Sequence, residues 1–167
     1  MAPRIVKIHT RVFIRNHTKG LTLSSFFRVL QENGIYSILN VAIIPDYYLE
    51  DKCRMIGMKY RHEPLHDSQE IETEKILELI SYVQKETNAH GILVHCDSGK
   101  NRSLLVTVPA IVRMTNQDPA EIIKRIRTIR PQILDNPRFE EWILNRENYD
   151  TINDFAKFPL IQPEIRN

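Results

Sequence analysis

The sequence predicts an α/β domain with a mainly parallel sheet, because short runs rich in β-branched residues alternate with stretches of helical period. The strand-like runs are IYSILNVAI at 35–43, a segment from about Met58 to His62 that ends by Pro64, and GILVH at 91–95. Size and composition agree with one folded unit. At 167 residues and 19.7 kDa, with 42% hydrophobic and 26% charged residues, the chain can bury a proper core. No internal repeat, linker or low-complexity tract interrupts it.

The elements follow in order. SSFFRVLQEN at 24–33 has the spacing of an amphipathic helix, closes at Gly34, and feeds the first strand, 35–43. After the second strand, 67–70 reads as a loop into a helix from Ile71, striped by Ile76, Leu77, Ile80 and Val83. GILVH is the third strand, apolar enough to be buried on both faces. RSLLVTVPAIVRMT at 102–115 is a buried helix with Pro109 as its expected kink. Asp118 and Pro119 supply an N-cap and a first-turn proline for the next helix, and Pro131 stops it. Its basic string KRIRTIR at 124–130 reads as a solvated face. A last amphipathic helix covers 137–148. The domain is expected over 1–155, with 156–167, which carries Pro159 and Pro163, as a loosely held tail.

Several classes are excluded by pattern. The longest apolar stretch, ILNVAII at 38–44, is too short to span a bilayer, and the charged start MAPRIVKIHTRVF has no signal-peptide core, so a cytoplasmic (intracellular) location is expected. Two cysteines, Cys53 and Cys96, make neither a disulfide framework nor a metal cluster, which leaves a free thiol. A net charge of +2 with pI near 8.6 fits an anionic ligand without calling for nucleic acid. Oligomeric state stays open.

Function is concentrated in HCDSGKNRS at 95–103, between the third strand and the helix after it. In parallel sheets ligands sit beyond the carboxyl ends of strands, where a helix N-terminus offers unbonded N–H groups and a positive dipole. Gly99 lets the backbone curl so that the N–H groups from Asp97 through Ser98, Gly99, Lys100 and Asn101 to Arg102 can form a nest for a tetrahedral dianion. Arg102 adds a planar fork that holds two phosphate oxygens. A cysteine at a helix N-terminus beside cations favours its thiolate form, which makes Cys96 the candidate nucleophile. Ser103 is placed to hydrogen-bond the thiolate, and His95 to orient the loop from below.

Expelling an alkoxide or phenoxide at neutral pH also takes a proton donor. Asp67, in PLHDSQE at 64–70, is the candidate acid, because a parallel sheet brings that loop to the same edge as Cys96. Glu63 and Glu70 are the alternatives, and a helix N-cap is the competing role for Asp67. Cys53 reads as structural, with a redox partnership to Cys96 as the other reading. His62 and His66 read as surface residues.

VHCDSGKNRS matches the His-Cys, five residues, Arg-Ser/Thr signature of the cysteine-based protein tyrosine phosphatase superfamily, and the chain resembles its dual-specificity branch. GIYSILNVA, YRHEPLHDSQE, the helix from Ile71 and IRPQILDNPRFEEWI resemble that family's segments in order, over roughly residues 10–150. The resemblance implies a small central sheet flanked by helices, with Cys96 as nucleophile, Arg102 as phosphate-binding arginine, Ser103 as loop hydroxyl, Asp67 as general acid, and no metal or cofactor. Leu104 stands where the family commonly has glycine, and the acid loop lacks the Trp-Pro-Asp of the tyrosine-specific enzymes. The implied substrate is a phosphorylated protein or another phosphomonoester. Lys100 resembles the Gly-Lys of the phosphoinositide and inositol-phosphate branches, whereas Asp97 places a repelling carboxylate on the same loop. Phosphoproteins are therefore favoured over inositol phosphates. An RNA 5′-triphosphate, or phosphate binding without turnover, are more distant alternatives.

Overall fold

Five strands and six helices make up the computed structural model, which describes residues 5–15 and 22–150. The tail expected at 156–167 lies outside the described residues. The strands are β1 (Ile5–His9), β2 (Val12–Arg15), β3 (Ile35–Asn40), β4 (Lys59–His62) and β5 (Gly91–His95). The helices are α1 (Leu23–Glu32), α2 (Tyr47–Ile56), α3 (Thr73–Thr87), α4 (Arg102–Thr115), α5 (Pro119–Ile129) and α6 (Pro137–Leu144), followed by a 3-10 turn, Arg146–Asn148. Sheet order is β1-β2-β5-β3-β4; every pairing is parallel except β1 with β2.

Strand β5 lies at the centre, and all five of its residues are buried. Its alternation separates two cores. Ile92 and Val94 join Ile76, Leu79, Leu104, Ile111, Ile122 and Phe139 on the side of α3 to α6. Leu93 joins Phe26, Phe27, Leu30, Leu49 and Cys53 on the side of α1 and α2. The sheet is thus buried on both faces, as an apolar run such as GILVH requires.

The observed elements differ from the sequence expectation in instructive places. Strand β3 stops at Asn40, short of the expected residue 43, because the Asn40 Oδ1 accepts the Ala42 N–H at 2.9 Å and bends the chain. Helix α3 begins at Thr73 with Glu72 at its N-cap, so Asp67 is no cap. Leu79 is fully buried on its inner face while Leu77 is only partly covered. Helix α4 runs from Arg102 to Thr115 as one element with Pro109 inside it. Helix α6 ends at Leu144, and the rest of the expected 137–148 helix is the 3-10 turn. Asp118 caps α5 as expected, accepting from Ala120 N at 3.0 Å. The basic string on α5 is not wholly solvated: Arg127 pairs with Glu140 at 2.8 Å, and Arg130 reaches Gly99. His62 is half-buried and bonded to the Ala42 carbonyl at 2.7 Å, unlike a surface residue.

Two elements went unread in the sequence. In the β1–β2 hairpin only β1 alternates, within a segment dense in charge, and β2 is a run of just three buried residues. Helix α2 buries only Leu49 and Cys53, and its exposed Tyr47, Tyr48 and Met55 blur the stripe. Its ends are nonetheless well signalled. The Asp46 carboxylate accepts from Leu49 N at 2.9 Å, and Gly57 closes the helix at φ 77°.

A polar cluster closes the edge of the sheet remote from the carboxyl ends. Glu86, 4% exposed, accepts from Ser37 Oγ at 2.7 Å and Lys59 Nζ at 3.2 Å, with His90 Nε2 at 2.9 Å. It ties β3 and β4 to the end of α3. Burial opposes ionisation of Glu86, but the bonds from Ser37, Lys59 and His90 outweigh it and hold the carboxyl below its ordinary value. Just below that ordinary value the folded chain binds fewer protons than the unfolded one. The stability Glu86 confers is therefore present above the ordinary carboxylate range and lost as pH falls through the folded value. Glu86→Gln should be less stable at neutral pH and should decline less steeply between about pH 5 and pH 3. Denaturant midpoints measured across that range check this; parallel declines for the two proteins exclude it.

Candidate active site

Strands β3, β4 and β5 point the same way, so the segments leaving them gather at one edge. Backbone bonds continue the ladder past the strand ends. Val41 N donates to His95 O at 2.8 Å, Glu63 N to Asn40 O at 2.9 Å, and Leu65 N to Val41 O at 3.0 Å. The segment carrying Asp67 is thereby stitched toward the segment carrying Cys96.

Cys96 directly follows β5, and Arg102 is the first residue of α4, whose first N–H groups have no partner within the helix. The five residues between them form the loop. Gly99, at φ 66°, supplies the left-handed turn, and a Cβ built on it would lie 2.2 Å from the Arg15 carbonyl oxygen and 2.8 Å from Arg130 Nη1. Only glycine fits there. Cys96 is 5% exposed, with its Sγ 3.7 Å from Ser103 Oγ, and Ser103 is fully buried. His95 is buried beneath, hydrogen-bonded to the Cys96 backbone. Burial above all, then the nearby Arg15, pulls its pKa down to about 3, so the imidazole is neutral.

The Arg102 guanidinium is almost buried and anchored on two sides. Its Nη1 donates to Leu65 O at 3.2 Å and its Nη2 to Asp97 Oδ2 at 2.8 Å, while its Nε is buried with no partner among the described residues. Ser98 and Asp97 lie exposed on the loop, and Lys100, half-exposed, faces Asp135 at 3.9 Å.

Asp67 joins this network through two amides. Asn101 Nδ2 donates to Asp67 Oδ2 at 2.9 Å and to Asp135 Oδ1 at 2.6 Å. Asn136 Nδ2 donates to the other Asp67 oxygen at 2.7 Å and to Ser68 O at 3.1 Å. Each carboxylate oxygen therefore has its own donor. Of the three candidate acids, Asp67 is the one bonded to a loop residue; Glu63 pairs with Arg61 at 3.1 Å. Cys53 sits fully buried in the α1–α2 core, across the sheet from the core that holds Cys96. Burial, reinforced by Asp46 and Glu50, pushes its thiol up to about 11. That placement gives a redox partnership with Cys96 no support.

The segment between α5 and α6 contributes residues that sequence reading did not single out. Arg130 Nη1 donates to Gly99 O at 3.0 Å, Leu134 N to Lys100 O at 2.8 Å, and Asn136 N to Asn101 Oδ1 at 3.1 Å. Burial lowers the Arg130 pKa, opposed by the neighbouring Cys96. Asn136 carries a readable signal, since an Asn before Pro137 marks an N-cap. Arg130 carries none beyond its place in a basic string.

A cavity of about 500 Å³ opens beside Cys96. One wall is apolar, formed by Ile44, Pro45, Tyr47 and Tyr48 at the start of α2; the floor is His95, Cys96 and Asp97, with Arg15 and Asp46 alongside. Ile44, Tyr47 and Tyr48 are 74%, 70% and 66% exposed, large values for such side chains.

A cysteine at a strand end, a curled loop with a required glycine, and an arginine opening the next helix define the cysteine-based protein tyrosine phosphatase superfamily. Residues 21–149 match the dual specificity phosphatase catalytic domain, and the chain belongs to that family. Solved structures share the fold. A mouse putative dual specificity phosphatase complexed with zinc tungstate superimposes with a TM-score of 0.72 at 18% identity, covering 98% of this chain and 96% of that one. DUSP15 gives 0.66 at 20% identity, covering 84% and 85%. PTPMT1 in complex with PI(5)P gives 0.70 at 16% identity, covering 90% and 97%. No curated protein matches the chain in sequence. Among the described residues no helix is long and apolar enough to cross a membrane.

The loop geometry yields a direct expectation. Gly99→Ala puts a methyl group 2.2 Å from a backbone oxygen at a left-handed position. It should remove phosphate binding and lower stability by about 1–3 kcal/mol or more. Calorimetric titration with inorganic phosphate and a thermal melt check both; near-wild-type phosphate affinity excludes this account of the loop.

Proposed function

We propose that the chain is a cysteine-dependent phosphomonoesterase, a single catalytic domain over residues 1–155, acting on phosphorylated proteins with dual specificity for phosphotyrosine and phosphoserine or phosphothreonine. The observation that carries this is that the segments bearing Cys96, Arg102, Ser103 and an amide-held Asp67 are hydrogen-bonded together around the 97–101 loop.

The reaction has two steps. The Cys96 thiolate attacks phosphorus in line, the S–P bond forms, and the P–O bond to the leaving group breaks as Asp67 gives that oxygen its proton. Water then attacks the cysteinyl-phosphate, its proton passes to the Asp67 carboxylate, and the S–P bond breaks to return thiolate and inorganic phosphate. Arg102 and the loop N–H groups hold the equatorial oxygens and stabilise charge in both transition states. Ser103, at 3.7 Å, donates to the thiolate as it leaves. The neutral His95 supports the Cys96 backbone from beneath.

Charge at the mouth favours a lone phosphate. Arg102 faces Asp97, Lys100 faces Asp135, and Arg15 is near Asp46. Arg130 is turned onto Gly99 O. A polyphosphorylated ring calls for unpaired cations, and among the described residues Arg102, Lys100 and Arg15 each face a carboxylate. The apolar wall of Ile44, Tyr47 and Tyr48 suits a side chain or an aryl group behind the phosphate. Lys100 favours a second reading, an inositol polyphosphate or phosphoinositide, in which it meets a further phosphate.

Cys96→Ser should leave less than about 1% of activity, since acid help alone supplies about 10²- to 10⁴-fold. Asp67→Asn should lose activity strongly on alkyl phosphates and far less on nitrophenyl phosphate, whose leaving group needs no proton. Initial rates across a leaving-group series test this, and an equal loss across the series removes Asp67 as the acid. A panel of phosphopeptides, inositol polyphosphates and phosphoinositides separates the two substrate readings.

A further inference from the structure

We propose that Asp97 is a selectivity residue, an internal carboxylate that occupies one arm of the Arg102 fork and that an incoming phosphate must displace. The inference rests on the reading of 96–102 as a phosphate-binding loop, and adds a competitor built into it.

The geometry is specific to this pair. A guanidinium holds two oxygens through paired N–H groups on one edge, either Nη1 with Nη2 at its end or Nε with Nη2 along its side. In Arg102, Nη1 is committed to Leu65 O at 3.2 Å, which leaves that Nε and Nη2 edge for a ligand. Nε is buried and has no partner among the described residues. Nη2 is held by Asp97 Oδ2 at 2.8 Å. A buried donor without a partner is rare enough to need a reason, and a phosphate oxygen supplies one. A phosphate that takes both groups evicts Asp97.

Eviction is feasible because the two partners differ in burial. The Arg102 side chain is 9% exposed and fixed by Leu65, whereas that of Asp97 is 61% exposed and can swing into water. The displaced carboxylate stays on the loop, at the rim. A monophosphate meets one cost, the exchange of one oxygen partner of Arg102 for another. A substrate with further phosphates meets a second, repulsion from the freed carboxylate. Lys100 does not cancel this, since it faces Asp135. Asp97 therefore weakens phosphate binding in general and polyanion binding most.

The test separates binding from turnover by working in Cys96→Ser. That protein and its Asp97→Asn and Asp97→Ala derivatives are titrated calorimetrically with inorganic phosphate and with inositol hexakisphosphate, after circular dichroism shows each one folded. Both Asp97 derivatives should bind inorganic phosphate roughly three- to tenfold more tightly, the scale of one partly exposed charged pair. The gain should be larger for inositol hexakisphosphate, and the excess over phosphate should shrink in high salt. Unchanged or weaker phosphate binding in both derivatives overturns the proposal and makes Asp97 an orienting partner of Arg102. An equal gain for both ligands overturns the selectivity part. If none of the proteins, including Cys96→Ser alone, binds phosphate, the phosphate-loop reading itself falls.

Discussion

The site depends on the docking of the 130–136 segment against the loop from Asp97 to Asn101. The backbone carbonyls of this loop are covered by that segment, and covered carbonyls need donors. The segment provides them: Arg130 serves Gly99, Leu134 serves Lys100, and the Asn136 amide meets the Asn101 side chain. Leu134 holds its place at φ 53°, an unfavourable conformation for a residue with a branched side chain. Its own side chain is buried in the α3–α6 core, 3% exposed, and that burial offsets the backbone cost. The loop is thus shaped by the hydrophobic core behind it, through one strained residue.

The same segment fixes Asp67, the proposed acid. Asn136 belongs to it, Asn101 belongs to the loop, and between them they hold both oxygens of Asp67. The 96–102 loop, the 130–136 segment and the segment carrying Asp67 are therefore coupled through a pair of side-chain amides. Arg102 adds to this coupling, since its Leu65 contact reaches back into the segment that carries Asp67. Proximity and orientation here arise from bonds between loops, with the sheet supplying only the common edge.

How much of this was legible in the sequence depended on the range of the interaction. Strands β3, β4 and β5 and helices α1, α3, α4, α5 and α6 announced themselves through local period and caps such as Asp118 with Pro119. The loop announced itself through residue types at fixed offsets. Helix α2 was lost because two buried residues leave too narrow a stripe, and the β1–β2 hairpin because β1 alternates among charges and β2 has only three buried residues. The end of β3 turned on a side chain two residues from its partner, Asn40 to Ala42, which composition does not reveal. Arg130 and Asn136 act on residues 31 and 35 positions away, and no local pattern encodes such a pairing. The Asp97 carboxylate was readable as a charge, but its hold on Arg102 needed the curl of the loop.

That curl also sorts the loop positions by their freedom to change. Gly99 is closed by the Arg15 backbone, and Asn101 is committed to three partners. Ser98 is exposed, and Lys100 lends its backbone carbonyl while its side chain reaches the rim. For a protein engineer, or for natural divergence, the segment from Cys96 to Arg102 is therefore a rigid frame with interchangeable settings. Side chains at 97, 98 and 100 can be exchanged without rebuilding the loop, whereas 99 and 101 can only be inherited.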